Sequence, residues 1–358
     1  MSVRSRDSAA DSGTWTIGNQ CAEFLQTEIR PYIGSRERKS LRQQWHDTRE
    51  LWARYRCVPY HYFKHRLYAR SARPDFIDYV PAKVIRRFRH DRNPRSHVRM
   101  VSDKLETVRV LAGAGIRCVE TLFSVSASGT VLRGDGVAVG ADTAAEALRG
   151  HGGTLFVKPI DAGHGHGAFR IGAAEIDAAL IESMRNVVIQ PVLHNHPIID
   201  ALNAGALNTV RVGSFVDDGR CTLVAACLKV AQGKAVVDNW GHGAIAVGVD
   251  LASGALNPTG ITKAKYGRRV YAMHPDTGVR FGSITLPWWR ETLELAERAA
   301  LGLQPHVELG LDIAITPDGP LLVEANEAGD FFLLQEACGP LGATRLGQCA
   351  LAHWLRTR

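Results

Sequence analysis

The sequence predicts an α+β protein, with a body of mixed strands and helices behind a basic, mainly helical N-terminal region. Three observations carry that expectation. Short apolar runs recur from about residue 103 onward, separated by Gly and Asp. Helix-length stretches lie between several of them. An early segment rich in Arg, Trp, Tyr and His spaces its apolar residues helically, not alternately.

Taken in order, residues 1–13 are small and polar and are expected to form a disordered tail. Residues 14–100 make the basic region. Within it Leu41, Trp45, Leu51, Trp52 and Tyr55 recur at helical spacing, which predicts two or three amphipathic helices with cationic outer faces. Pro74 and Pro81 punctuate this stretch. Lys104–Ala114 is expected to be helical, closed by Gly113 and Gly115. Strands are expected at Thr121–Val125, Thr154–Val157, Val187–Val192, Thr209–Phe215, Leu223–Val230, Leu311–Ile315 and Leu321–Glu324. Helices are expected at Thr143–Arg149, Ala174–Arg185 and Trp288–Leu301. Hairpin-like pairs among mixed elements give the α+β class. The body divides into residues 101–192 and 193–358.

A chain of 358 residues suits two or three packed subdomains. At 45% hydrophobic and 22% charged, it is not a disordered chain. The net charge of +7 would nominate nucleic acid or an anionic surface as partner. The charge is local, however. Residues 30–109 carry 21 Lys and Arg against 8 Asp and Glu, whereas residues 110–358 carry 20 against 24. A solvated face, an anionic substrate, a partner protein, a membrane surface or RNA all stay open for that basic segment. Nucleic acid is disfavoured there, since no RNA-binding signature occurs. The 7 cysteines are scattered and never spaced C-x-x-C, against a disulfide scaffold or zinc ribbon. No apolar run suits a transmembrane helix, and the first residues do not read as a secretory signal. A reducing, cytoplasmic setting is expected.

Two stretches carry chemistry. Leu155-Phe156-Val157-Lys158-Pro159 leads through Asp161-Ala162-Gly163-His164-Gly165-His166-Gly167 into Ala168-Phe169-Arg170-Ile171. A strand ends in a lysine, a glycine-rich loop follows, and a second strand resumes. Such glycines let backbone N–H groups approach a phosphate, and the lysine adds a charge. It is neither a Walker A loop nor a Rossmann loop, and alone it could equally be a flexible turn. Downstream, Gly310-Leu311-Asp312-Ile313-Ala314-Ile315 and Leu321-Leu322-Val323-Glu324-Ala325-Asn326 flank a Pro317-Asp318-Gly319 turn. This predicts a hairpin with Glu324 and Asn326, two apart, on one face. With Asp312 they make a hard-oxygen set suited to Mg²⁺, or else a solvated sheet face.

Together these stretches resemble the ATP-grasp superfamily, in which two α+β subdomains grip ATP. The resemblance runs from about Val101 to Gly342. Ser102-Asp103-Lys104 is similar to the first phosphate-contacting lysine motif, and Lys158 with its loop to the second lysine and the mobile flap. Val188-Ile189-Gln190-Pro191-Val192 resembles the linker that reads adenine, and Asp312, Glu324 and Asn326 match a D…E-x-N metal pattern. Asn208-Thr209-Val210-Arg211, Val237-Asp238-Asn239, Gly241-His242-Gly243, His274–Gly278 and Leu286-Pro287-Trp288 are similar to the sugar-transfer-associated subfamily.

The resemblance implies roles. Lys104 and Lys158 would hold ATP phosphates under the Gly163–Gly167 flap, with Gly165 in its middle and His164 or His166 at phosphate or ribose. Gln190 and Val192 would meet the base. Asp312, Glu324 and Asn326 would hold one or two Mg²⁺ ions, with Asn239 near phosphate or metal. Arg211 and Lys229 would contact the γ-phosphate or a developing oxyanion. The activity implied is an ATP- and Mg²⁺-dependent carboxylate–amine ligase with an acyl-phosphate intermediate, joining a small-molecule or peptide carboxylate to an amine in a biosynthetic pathway. Phosphoryl transfer to a small molecule is the alternative, and a non-catalytic nucleotide- or RNA-binding protein a further one. Homodimers are common in this fold. One departure stands out: many such ligases carry an arginine two residues before the metal aspartate, and here that residue is Gly310. Arg211, Lys229, Arg268 or Arg269 would then supply the charge. The pairs His164/His166 and His194/His196 lack a third zinc ligand nearby. Trp288 and Trp289 are expected as core or lid.

Overall fold

The structure is a computed structural model and describes residues 22–161 and 167–358. Gly163, His164, Gly165 and His166, and the tail at 1–13, lie outside the described residues.

Strands β1 (Phe123–Val125), β2 (Val131–Arg133), β3 (Ala138–Val139), β4 (Thr154–Pro159), β5 (Phe169–Gly172) and β6 (Val187–Pro191) form an antiparallel sheet in the order β3-β2-β1-β6-β4-β5. Helices Ala141–His151 and Ala178–Ser183 cover one of its faces, burying Ala144, Leu148 and Ile181 on Val125, Leu155 and Val157. The expected single helix over 174–185 is instead a 3₁₀ turn, Ala173–Glu175, and the shorter helix. Asp177 stops the first and caps the second by accepting from the Leu180 N–H at 2.7 Å.

Strands β7 (Thr209–Asp217), β8 (Arg220–Val230), β9 (Ile245–Val249), β10 (Leu256–Ile261), β11 (Val270–Tyr271), β12 (Glu308–Thr316) and β13 (Gly319–Asn326) form the second sheet, ordered β11-β10-β9-β8-β7-β12-β13. Asp218 and Gly219 join β7 to β8 with φ of 49° and 72°, the left-handed pair that a two-residue hairpin turn requires. Helix Trp289–Gly302 and Leu111 of helix Lys104–Gly113 pack on the face carrying Val210, Val212, Leu311 and Ile313.

The opposite face carries Phe215, Val224 and Cys227. It is covered by helices Phe331–Cys338 and Arg345–Thr357 together with the N-terminal region. That region is helical, with helices Leu41–Tyr55 and Ala82–Arg92 as its main pieces. The stripe of helix Leu41–Tyr55 departs from expectation. Leu51 and Tyr55 are buried, but Leu41, Trp45 and Trp52 face solvent. Asp47 takes the buried side because Lys39 and the Tyr62 hydroxyl satisfy it at 2.8 and 3.1 Å. Arg49 and Arg56 stack over the rings of Trp45 and Trp52, which stay more than half exposed. No helix among the described residues is long and apolar enough to cross a membrane.

Candidate active site

The two sheets meet at a cavity of about 610 Å³. Strand alternation decides what lines it. On the six-stranded sheet Leu155, Val157 and Ile189 point under the helices, so Phe156, Lys158 and Gln190 point into the cavity. Phe156 and Gln190 are direct register partners. Gln190 is buried, its Nε2 donating to Thr121 Oγ1 at 3.4 Å, and Val192 lines the cavity just beyond β6. Burial lowers the Lys158 ammonium to about 8, against the pull of Glu324.

Lys104 arrives from a helix start. The Asp103 carboxylate accepts from the N–H groups of Leu105 and Glu106 at 3.0 and 3.2 Å, fixing Lys104 in the first turn. Its Nζ donates to the Ile160 carbonyl at 3.1 Å and lies 3.6 Å from Glu324 Oε1.

On the seven-stranded sheet Arg211 and Asp312 are register partners. The guanidinium donates twice, Nε to Oδ1 at 2.8 Å and Nη2 to Oδ2 at 2.9 Å. Lys229 Nζ stands 3.1 Å from Asp312 Oδ1 and 3.7 Å from Asp238 Oδ2. Asp238 in turn accepts from the Thr209 N–H at 2.7 Å and its hydroxyl at 2.5 Å. Burial opposes ionisation of Asp312, but Arg211 and Lys229 outweigh it and hold the carboxyl well below the usual carboxylate range. Burial raises Asp238, with Lys229 opposing.

A β-bulge brings the third strand into line. Asp312 pairs with Glu324, while Ile313 pairs with Leu322, so Val323 has no partner across the ladder. Leu322 and Ala325 both enter the core although they are three apart. The bulge thus places Glu324 and Asn326 on the Asp312 side, where Asn326 Nδ2 lies 3.2 Å from Asp312 Oδ2. The residue spacing predicts that Glu324 and Asn326 share a face, and the bulge determines which face.

These residues fit a magnesium ion. No three His, Cys, Asp or Glu cluster as metal ligands among the described residues, so a Mg²⁺ ion would have to rest on the Asp312 and Glu324 carboxylates with the Asn326 amide oxygen. That donor set suits a hard cation. Arg211 and Lys229 hold Asp312 ionised, and its two oxygens are shared among Arg211, Lys229 and Asn326 Nδ2.

Gly310 is closed to any side chain. A Cβ there would lie 2.8 Å from Gly329 Cα, 3.1 Å from the Ala328 carbonyl oxygen and 3.2 Å from Arg211 Cδ. Arg211, crossing from β7, occupies the neighbouring space. Installing the missing arginine, Gly310→Arg, is expected to destabilise the fold by at least about 2 kcal/mol, because backbone cannot give way. Chemical denaturation checks this, and an unchanged midpoint would contradict it.

Other candidates fall elsewhere. Asn239 lines the cavity, and its Oδ1 accepts from the Gly241 N–H at 2.7 Å. Gly167 leads from the glycine-rich loop into β5 with φ of 74°. Arg268 does not reach the cavity; it is buried beside Glu336 at 3.4 Å and Glu28 at 3.7 Å. Arg269 is also absent from the lining. His196 caps the short helix Pro197–Asp200, accepting from the Ile198 N–H. The His274–Gly278 run is a turn, with His274 fully buried against the Ala231 carbonyl. Trp289 is core, whereas Trp288 is exposed. Reasoning from the sequence gave no role to Asp238, Thr209, Lys64, Arg86 or Arg89, all of which line the cavity. Only Asp238 carried a signal, a buried-type acid directly before Asn239.

Two facing sheets, with Lys158 on one, Lys104 from the helix packed on the other, and an Asp–Glu–Asn oxygen set beside them, define an ATP-grasp protein. The chain belongs to the sugar-transfer associated ATP-grasp family, whose model matches residues 83–346. Among solved structures it is similar to the ATP-grasp ligase PsnB complexed with minimal precursor, Mg and ADP, at 17% identity and TM-score 0.41, over 74% of this chain and 62% of that one. It is also similar to an L-amino acid ligase from Bacillus licheniformis, at 12% identity and TM-score 0.41, over 72% and 49%. D-alanyl-alanine synthetase A from Vibrio cholerae O1 biovar eltor str. N16961 matches at 13% and 0.42, over 72% and 66%. This chain therefore spans less than two thirds of the first two. No curated protein matches.

Proposed function

We propose that the protein is an ATP- and Mg²⁺-dependent carboxylate–amine ligase of a biosynthetic pathway, of the polysaccharide-modification or natural-product type. The observation that carries this is the meeting of Lys104 and Lys158 with Glu324, beside Asp312 and Asn326. Lys104 and Lys158 bind the ATP phosphates, and Gln190 and Val192 the base. Asp312, Glu324 and Asn326 would hold Mg²⁺, which when bound neutralises charge on the β- and γ-phosphates. A carboxylate oxygen of the acid bonds to the γ-phosphorus as the bond to the β–γ bridging oxygen breaks, releasing ADP. The amine nitrogen then attacks the acyl carbon, loses a proton, and inorganic phosphate leaves. Arg211 and Lys229 supply positive charge to the tetrahedral oxyanion, the task that Gly310 cannot perform.

Hydroxylamine tests this directly. Incubated with ATP, Mg²⁺ and a panel of acids, the protein is expected to yield a hydroxamate with ADP release. A phosphorylated product without hydroxamate would make it a phosphotransferase instead.

A further inference from the structure

The cavity holds more positive charge than the nucleotide and metal account for. Lys104, Arg211 and Lys229 each face a carboxylate there, from Glu324, Asp312 or Asp238. Lys64, Arg86 and Lys263 line the same cavity and form no ion pair among the described residues. Arg170 is a fourth, exposed on β5 of the six-stranded sheet, three residues after Gly167. The three come from separate elements: helix His61–Lys64, helix Ala82–Arg92, and the residue capping the turn Ala264–Tyr266.

Two of them are held by aromatic rings that touch. Lys64 Nζ lies 5.6 Å from the Phe332 centroid and Lys263 Nζ 5.7 Å from that of Trp240. The two rings are 5.8 Å apart. Ring faces position an ammonium without cancelling its charge. Glu28, whose field Lys64 feels, is a weak counter-charge. Burial pushes its carboxyl up to about 7 despite Arg268. Glu327 and Asp330, the remaining acids of the lining, pair with none of the three. Lys64 and Lys263 are half-buried without an ion pair among the described residues, which is costly, while Arg86 is exposed at the rim; together they focus potential on whatever enters.

We propose that this part of the cavity, walled by the N-terminal region, binds a second anionic group of the acid substrate, a carboxylate or a phosphate, through Lys64 and Lys263 with Arg86 as the third cation. The proposal rests on the ligase assignment of the same cavity. It gives the substrate class as a molecule with one carboxylate to be activated and another negative group beyond it. It also gives the basic segment a purpose within the site.

The test uses the full chain saturated with Mg²⁺ and a non-hydrolysable ATP analogue, with glutarate, glycerol 3-phosphate and neutral glutaramide as probes in calorimetric titrations. At least one anion is expected to bind and the diamide not to. Whichever anion binds identifies the group as carboxylate or phosphate. In Lys64→Gln/Lys263→Gln that affinity is expected to fall at least about tenfold while the analogue's Kd stays within about twofold. Lys64→Arg/Lys263→Arg, which keeps both charges, is expected to restore it. Anion binding unchanged in the Gln variant, equal binding of the diamide, or no anion binding to the nucleotide-loaded protein would each overturn the proposal. Failure of the analogue to bind would instead count against the ligase assignment, and the same titrations on the nucleotide-free chain would still decide the anion site.

Discussion

Glu324→Ala is expected to cut ATP turnover by at least about a thousandfold, or roughly 4 kcal/mol of transition-state stabilisation, while leaving the fold intact. Glu324 is the informative member of the oxygen set because of what surrounds it. Its side chain is 30% exposed, and among the described residues its only ion pair is with Lys104 at 3.6 Å. Such a pair contributes little to stability, so the unfolding midpoint should barely move. Asp312 is a poorer choice. Removing it leaves Arg211 and Lys229 buried without their shared carboxylate, at a cost of about 3–5 kcal/mol, and lost activity would then report only lost structure. ADP release and thermal melting of the variant, measured side by side, separate the two outcomes. Turnover like that of the unaltered chain would remove Glu324 from the metal site.

The sheet body was largely legible in the sequence, and for physical reasons. Strands such as Leu155–Val157 and Leu311–Ile315 alternate or run apolar between Gly, Pro and Asp breaks, so their cores show as pattern. The hairpin from β12 to β13 was expected from Asp318-Gly319. Strands β9 and β10 were not, because Ile245–Val249 is apolar at every position and buried on both faces, so it shows no polar alternation, and Leu256–Ile261 contains Pro258. Lys104 and Lys158 were readable as local motifs. Lys64 and Arg86 were not, since nothing local links them to residues 240 and 332. Long-range packing alone brings them to the cavity. Likewise no local pattern announces that Arg211 would lie across Gly310.

The same packing sets the outcome of removing residues 1–99, a deletion that would separate nucleotide binding from substrate handling if the basic region were an appendage. Loss of the whole fold is expected instead. Leu51, Tyr55, Val84, Ile85 and Phe88 share one core with Phe215, Val224, Phe331 and Leu346. Polar contacts bind the same layers. Gln335 exchanges hydrogen bonds with both backbone groups of Val80 at 2.8 and 3.1 Å. Asn93 Oδ1 accepts from the N–H groups of Val307 and Glu308, while its Nδ2 donates to the Glu308 carbonyl at 2.9 Å. Trp354 Nε1 donates to the Tyr55 carbonyl at 2.7 Å. Each large side chain lost from such a core costs about 3–5 kcal/mol. Several together exceed the roughly 5–15 kcal/mol by which a whole domain is stable. The truncated chain should therefore be insoluble or melt without cooperativity, and Phe88→Ala alone should lower stability by about 3–5 kcal/mol in chemical denaturation. A soluble truncated chain with a sharp transition and normal nucleotide affinity would show that the N-terminal region is not part of the core. The cations it lends to the cavity would then have to be sought in a separable module.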